Sequence, residues 1–266
     1  LLKASAAGLG PLSFGAGASL GLSVGGSGEF SGAEVSDVFA RAASGWSSGN
    51  VVMLDTANAG AAVVVGDAVA SSGVALLKQG TGTLKLAGAT LFGDVSILAG
   101  TVQFGTGGSG GAPGSGNLLL GAGARAAFNR SVLSTIAGTV SGAGALEVQG
   151  GTLSLLSANG YTGGTTLSGN AMVDFVLGGL GDSGAIVVPG NGTLRFGAGN
   201  TGDVSGRLSV GTSAALTLDT NGNNLVFAAS PSFAGGASLV KAGAGALTLS
   251  AAMNAPAGTV LRGGTL

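Results

Sequence analysis

The chain has 266 residues and a formal net charge of −1, and it contains neither histidine nor cysteine. Glycine accounts for 56 residues and charged side chains for 8%, whereas ordinary domains carry about 7% glycine and about 25% charge. This apolar composition excludes a disordered chain, and glycine without a period of three excludes collagen. Thinly spread basic residues exclude a nucleic-acid surface. No apolar run reaches the roughly 18 residues of a membrane-spanning helix.

A short helix is predicted near residues 33–43. Apolar side chains recur there at helical spacing, with Ser31 in the N-cap position: Val35, Val38, Phe39 and Ala42. We expect this helix to pack on the rest of the fold. We expect Trp46, the single tryptophan, to pack against the flank of the fold rather than to bind a sugar.

The sequence repeats itself over a long interval. The stretch 54–102 is echoed by 218–266 at an offset of about 164 positions. Both copies begin with Leu-Asp-Thr, place Lys78 and Lys241 in matching phrases, and end on Gly-Thr followed by an apolar residue. Internal repeats of this kind decide the fold before any single residue does.

Within and between these copies, glycine followed by Thr or Ala introduces an apolar-polar-apolar triplet, starting at 82, 100, 144, 151, 192 and 245. Strict alternation predicts half-buried strands with apolar side chains inward and charges outward. The starts at 82 and 100 lie 18 positions apart, those at 245 and 264 lie 19 apart, and those at 151 and 192 lie 41 apart, which is about twice a step near 20 residues. This step is too short for a βαβ unit of roughly 30 residues, so it indicates one coil of a β-solenoid. We predict an all-β parallel β-helix of roughly a dozen rungs, about 4.8 Å apart.

One segment breaks the rhythm. Residues 105–117 contain no apolar side chain larger than alanine or proline. Glycine-rich stretches between periodic segments are typical of loops, so we expect an exposed loop between two rungs.

The phrases at 78–86 and 241–249, "SANGYTGGTT" at 157–166 and the closing Gly-Thr pairs at 100 and 264 resemble the autotransporter-associated β-strand repeat, also called the passenger-associated transport repeat. Units around 74–105, 144–175 and 237–266 cover somewhat over a third of the chain. The first and third lack the middle motif, and Glu147 stands about where the family has lysine.

The resemblance implies a right-handed parallel β-helix in a large secreted or surface-displayed bacterial passenger. In such passengers the repeats are thought to help export and folding outside the cell. It also implies a translocator barrel, which lies outside this segment. We therefore interpret residues 1–266 as a single β-solenoid segment of a longer chain.

Catalytic chemistry finds little support in the residue types present. Without histidine and cysteine, Ser-His-Asp, Cys-His and the usual zinc sites cannot be assembled. Carboxylate catalysis would need acids brought together by stacking, since no tight pair occurs among Glu29, Glu34, Asp37, Asp55, Asp67, Asp94, Glu147, Asp174, Asp182, Asp203 and Asp219.

Three glycine-rich or repeated phrases resemble functional motifs by chance. Ser238 and Lys241 satisfy S-x-x-K without the motifs that accompany it. The segment 178–186 resembles a calcium-binding nonapeptide whose aspartate stands one place early. Asp55 and Asp219 recur in "LDT", which predicts turn capping more than a weak metal site. No catalytic, cofactor-binding or metal residue is assigned, and no cofactor is expected.

The function predicted is structural and non-enzymatic: an extracellular stalk or adhesin scaffold at a bacterial cell surface. Its partners would be a host or neighbouring cell surface, contacted through loops or a distal region. One alternative is a subunit of an extracellular filament stacked end to end, since no polar cap is evident in the sequence. The other is a polysaccharide-active β-helix enzyme with several carboxylates on one outer face.

Overall fold

The computed structural model describes residues 10–66, 73–88 and 92–266. It is a parallel β-solenoid of about ten turns with one α-helix. The predicted all-β parallel β-helix is therefore confirmed, with slightly fewer turns than the dozen expected. No helix in the described part of the chain is long and apolar enough to cross a membrane.

The elements follow one another in chain order. The first part contains β1 (Ser19–Ser23), α1 (Gly32–Arg41), β2 (Val51–Asp55), β3 (Val63–Val65), β4 (Ala75–Gln79), β5 (Thr83–Leu86), β6 (Val95–Ile97), β7 (Thr101–Phe104), β8 (Leu118–Leu120), β9 (Arg125–Ile136), β10 (Val140–Gly142) and β11 (Ala145–Leu155). The second part contains β12 (Gly160–Tyr161), β13 (Thr165–Leu167), β14 (Ala171–Phe175), β15 (Ile186–Val188), β16 (Gly192–Phe196), a 3₁₀ turn (Ser205–Arg207), β17 (Leu208–Val210), β18 (Ala215–Asp219), β19 (Leu225–Phe227), β20 (Ser232–Phe233), β21 (Ser238–Ala242), β22 (Leu247–Leu249) and β23 (Thr259–Leu261).

The strands form three parallel sheets. The order is β1-β2-β4-β6-β8-β10-β12 in the first; in the second, β3-β5-β7-β9 joins β11, from which two branches continue. β19 and β22 form the third sheet. Partners along β11, β14, β16, β18 and β21 lie 20, 21, 24 and 23 positions apart. Between β5 and β7 the partners lie only 18 positions apart, so the coils vary around the step of about 20 residues that the sequence predicts.

The predicted triplets form neighbouring rungs. Leu84 on β5 pairs with Val102 on β7, and both are fully buried. Further along, the inward ladder includes stacked Phe104 and Phe128 rings with centroids 5.1 Å apart. Because each inward side chain lies on the one below, the apolar core is continuous along the stack.

Two predicted strand starts belong to one strand. The triplets after Gly144 and Gly151 both lie in β11, and the pairing of β11 with β9 shifts register between Val148 and Thr152. Gly151 has a φ of +67°, a conformation that glycine adopts without steric cost. The strand therefore turns a corner of the coil without ending.

Helix α1 matches the prediction closely. Ser31 caps it, with Glu34 completing a capping box, and its apolar residues are buried in the core. Trp46 stacks on Phe14 at 4.5 Å and meets the edge of Phe39. The helix contacts β3, the first strand of its ladder, so it covers an end of the stack.

The loop predicted at 105–117 is present between β7 and β8, but it is exposed only in part. Only 106–109, 115 and 117 are exposed, while Gly105 and Gly111 are buried. Their main chain passes so close to the adjacent rungs that a Cβ would overlap backbone atoms. Small residues are therefore required by close packing of the main chain.

Candidate functional site

The most unusual residue in the core is a lysine. Lys78 has no exposed surface and lies on β4 beside inward-facing Leu76. Its Nζ donates hydrogen bonds to the carbonyl oxygens of Gln79, Gly80 and Ala99 at 2.8, 2.7 and 3.1 Å. The Gln79 carbonyl ends β4, the Gly80 carbonyl lies in the turn after it, and the Ala99 carbonyl belongs to the next rung. The ammonium therefore binds two rungs together.

Lys241 repeats the arrangement in the second copy of the long repeat. It is also fully buried. Its Nζ donates to the carbonyls of Ala242 and Gly243 at 2.8 Å each, to that of Gly263 at 2.9 Å, and to the Thr220 hydroxyl at 3.2 Å. These acceptors come from three successive rungs. We call the Lys78 and Lys241 sites the lysine clamps.

The recurring aspartates support the clamps from the preceding rung. Asp55 Oδ1 accepts the Ala57 N–H and Asp219 Oδ1 accepts the Asn221 N–H, both at 2.9 Å. The predicted turn-capping role of Asp55 and Asp219 is confirmed. Each carboxylate also favours the ammonium form of the nearby lysine through its charge.

Burial sets the protonation of the clamps. Removal from water lowers the pKa of Lys78 to about 8 from its usual 10.5, and Asp55 partly opposes this shift. Burial likewise lowers the pKa of Lys241, with Asp219 opposing. Since its pKa lies above 7, Lys78 is mainly charged at neutral pH, and all three of its protons can be donated.

Arg207 forms a third site at which a basic side chain binds main-chain carbonyls. Its guanidinium donates to the carbonyls of Leu180, Gly181, Ser183 and Gly184 at 2.7, 2.9, 2.7 and 2.8 Å. These four carbonyls lie in the segment that resembles a calcium nonapeptide. In this structure the positively charged guanidinium of Arg207, from the following coil, binds these carbonyls.

Arg130 does the same for the glycine-rich segment after β7. It donates to the carbonyls of Ser109, Gly110 and Leu133 at 2.6, 3.0 and 3.0 Å, and to the Ser134 hydroxyl at 3.1 Å. Burial lowers its pKa. Four basic side chains therefore donate hydrogen bonds to main-chain carbonyls at turns: Lys78, Lys241, Arg207 and Arg130.

The residues of the "SANGYTGGTT" motif build a corner. Asn159 accepts the Val140 N–H at 2.6 Å and donates to the Gly179 carbonyl at 2.7 Å, which joins the rungs before and after it. The Tyr161 hydroxyl is buried and lies 2.6 Å from the Thr165 hydroxyl. Burial raises the pKa of Tyr161 to about 12. Asn159 therefore joins neighbouring rungs, while the Tyr161 and Thr165 hydroxyls bond to each other at the corner of one coil.

The carboxylates are spread over the outer surface, but two of them flank the same arginine. Asp174, Arg195 and Asp219 stand in register on β14, β16 and β18. Nitrogens of Arg195 lie 3.9 Å from each carboxylate. The two acids are two rungs apart, about 9–10 Å along the stack. Asp67 lies outside the described residues.

Within the described ranges, no group of three or more acidic side chains could hold a metal ion. Ser238 and Lys241 of the S-x-x-K match lie on β21, where the lysine is already bound to carbonyls.

Comparisons with family models, curated proteins and solved structures find no match to this chain. The likeness to the autotransporter-associated repeat therefore stays a prediction.

Sequence reasoning missed the lysine clamps because charges were expected on the outer face. The alternation itself held the signal: Lys78 has the same parity as buried Leu76, whereas Lys85 in the following triplet has the parity of the outward positions. Glycine at both Gly80 and Gly243, with φ of +73° and +78°, marks the turn that presents the carbonyls.

Proposed function

We propose that this chain is a structural, non-enzymatic scaffold: part of a β-helical stalk or adhesin of a bacterial secreted or surface protein of the autotransporter kind. The observation that carries the proposal is the use of the repeat-signature residues. Lys78, Lys241, Asn159 and Tyr161 all hydrogen-bond to the chain itself, within or between rungs. Because these polar side chains bond to the chain itself and not to a ligand, they favour a mechanical role over a catalytic one.

Further support comes from the charge distribution. Basic residues that might otherwise bind an acidic partner, Arg130 and Arg207 among them, point into the turns of the chain. The exposed parts of the coils include glycine-rich turns such as 106–109 and outward-facing apolar side chains such as Leu133. In this proposal those turns, or regions beyond this segment, contact a host or neighbouring cell.

The test is the location of the protein on its own cell. An antibody raised against the purified chain is applied to intact and to permeabilised bacteria. We expect labelling of intact cells, and loss of that label after brief protease treatment of the surface. Labelling that appears only after permeabilisation would contradict the proposal.

A polysaccharide-active enzyme is the second candidate, favoured by the shared outer ladder of Asp174 and Asp219. This candidate predicts that the purified chain lowers the viscosity of acidic or neutral polysaccharides, and that Asp174→Asn with Asp219→Asn abolishes the effect. Unchanged viscosity across such a panel favours the scaffold.

End-to-end filaments are distinguished by electron microscopy of the purified protein at several concentrations. Uniform fibres that lengthen with concentration would favour a filament subunit. Isolated short particles favour the scaffold.

A further inference from the structure

Helix α1 lies on the edge of β3 that faces away from β5. β3 hydrogen-bonds to β5, and no strand within the described ranges pairs with its other edge. Gly32 sits against the Val64 carbonyl so closely that a Cβ would overlap it. The Ser36 hydroxyl accepts the N–H of Gly66 at 3.0 Å. The helix therefore takes the place of a further strand at this end of the stack.

The inner face of α1 also closes the apolar core. Val35, Val38 and Phe39 are at most 1% exposed and belong to the same cluster as Val63 and Val65 of β3. Without the helix, this end would present an apolar surface bordered by unpaired main-chain groups. Such edges bind strands of other molecules.

The outer face of α1 is polar. Asp37 and Arg41 form an exposed ion pair at 2.7 Å, one helical turn apart. The chain on both sides anchors the helix: Leu12 N–H bonds to the Arg41 carbonyl and Phe14 N–H to that of Gly45, both at 2.9 Å. Trp46 stacks on Phe14 beside this anchor.

We propose that α1 is an autoinhibitory cap that prevents this end of the stack from associating with a second copy of the chain. The proposal is independent of the scaffold function, because it concerns only the solution state of the purified protein. A docked α1 keeps the protein monomeric at this end. An undocked α1 exposes the β3 edge and the apolar end, which then bind another copy.

The principal test uses Phe39→Asp, which places a charge on the buried face. Asp37→Ser, on the outer face of the same helix, is the matched control. Trp46 contacts Phe39 directly, so its fluorescence would change on substitution alone. Amide hydrogen exchange of residues 32–41 therefore reports undocking, and circular dichroism reports retention of β structure. Sedimentation velocity over a concentration series measures association. We expect Phe39→Asp to associate at least tenfold more tightly than wild type and Asp37→Ser to behave as wild type.

A Phe39→Asp protein with rapid amide exchange in α1, intact β structure and an unchanged monomer mass would overturn the proposal. If that variant does not fold, Ser31→Ala with Glu34→Ala weakens the helix start without touching the core.

A reversible lock is then added to the weakened variant through Ser36→Cys and Gly66→Cys. The chain has no other cysteine, and the site of a Cβ on Gly66 is open. We expect association of the reduced protein and a monomer after oxidation. Equal masses in both states would also overturn the proposal.

Discussion

At the scale of single residues, the buried ammonium groups of Lys78 and Lys241 stabilise the turns by binding their carbonyls. The Lys78 ammonium satisfies three part-buried carbonyls, and removing it leaves those of Gly80 and Ala99 without their donor, while the Gln79 carbonyl still accepts the Thr56 N–H. Each such loss costs about 1–3 kcal/mol. The lysine clamps should therefore contribute more to stability than any exposed charge of the chain.

Replacing the clamp lysine tests this directly. We expect Lys78→Met to lower the free energy of unfolding by about 3 kcal/mol because the carbonyls of Gly80 and Ala99 lose their donor, whereas the Gln79 carbonyl keeps the Thr56 N–H. Lys85→Met, on the outer face of the next strand, should change it by less than about 0.5 kcal/mol. Urea denaturation measures both, and a Lys78→Met protein as stable as wild type would contradict the role of the clamp.

The inward ladder has its own test. Leu84 is fully buried, so Leu84→Asp buries an unpaired charge and should prevent folding. Thr248→Ala, at an outward position, should be nearly neutral, within about 0.5 kcal/mol. Circular dichroism of the two purified variants compares them. Equal stability would mean that the inward and outward assignment is wrong.

Two buried groups give the stability a pH dependence of opposite signs. Lys78 has a pKa of about 8 in the folded state against 10.5 unfolded, so the unfolded chain binds more protons between these values. Stability should rise with pH across that window. Tyr161 has a pKa of about 12 against 10.0 unfolded, so the unfolded chain loses its proton first. Stability should fall above pH 10.

Urea titrations from pH 7 to 11 should therefore show a maximum near pH 10. Lys78→Met with Lys241→Met should remove the rise, and Tyr161→Phe should remove the fall. A rise that persists in the double lysine variant would assign it to other groups.

At the scale of elements, the turn after each clamp strand is constrained both by its backbone conformation and by close packing. Gly80 has a φ of +73°, and a Cβ there would overlap the Ala57 nitrogen. Gly123 has nearly the same φ, +72°, with open space around it. The pair therefore separates backbone strain from close packing.

We expect Gly123→Ala to cost about 1–2 kcal/mol from the left-handed conformation alone. Gly80→Ala should cost clearly more, because the preceding rung must also move. Thermal denaturation of the two variants provides the comparison. Equal costs would show that the Gly80 turn has room to adjust.

Several elements were predictable because their signals are local. The cap and spacing of α1 gave its position, and alternation after glycine gave β5, β7 and β16. The loop at 105–117 was predictable from its composition, but its partial burial was not, since it depends on Arg130 from the next coil. The inward position of Lys78 could be read from its parity with Leu76, whereas its acceptor on the next rung, the Ala99 carbonyl, follows from no local pattern.

At the scale of the whole molecule, the long repeat acquires a physical meaning. Its two copies place the same set of groups, an aspartate turn, a buried lysine and a closing glycine, near opposite ends of the described stack. Between them, Asn159, Arg130 and Arg207 join other rungs. The molecule is thus held along its length by side chains bonded to main chain, in addition to the strand ladders and the apolar core.

The measurement that tests this account most directly is a ¹⁵N–¹H spectrum of the lysine side chains near pH 6. Ammonium groups bound to carbonyls exchange their protons slowly, whereas solvated ones exchange quickly. We predict two protected signals that disappear singly in Lys78→Met and Lys241→Met, one from each end of the stack. Rapid exchange of both lysines, like that of Lys85, would contradict the account.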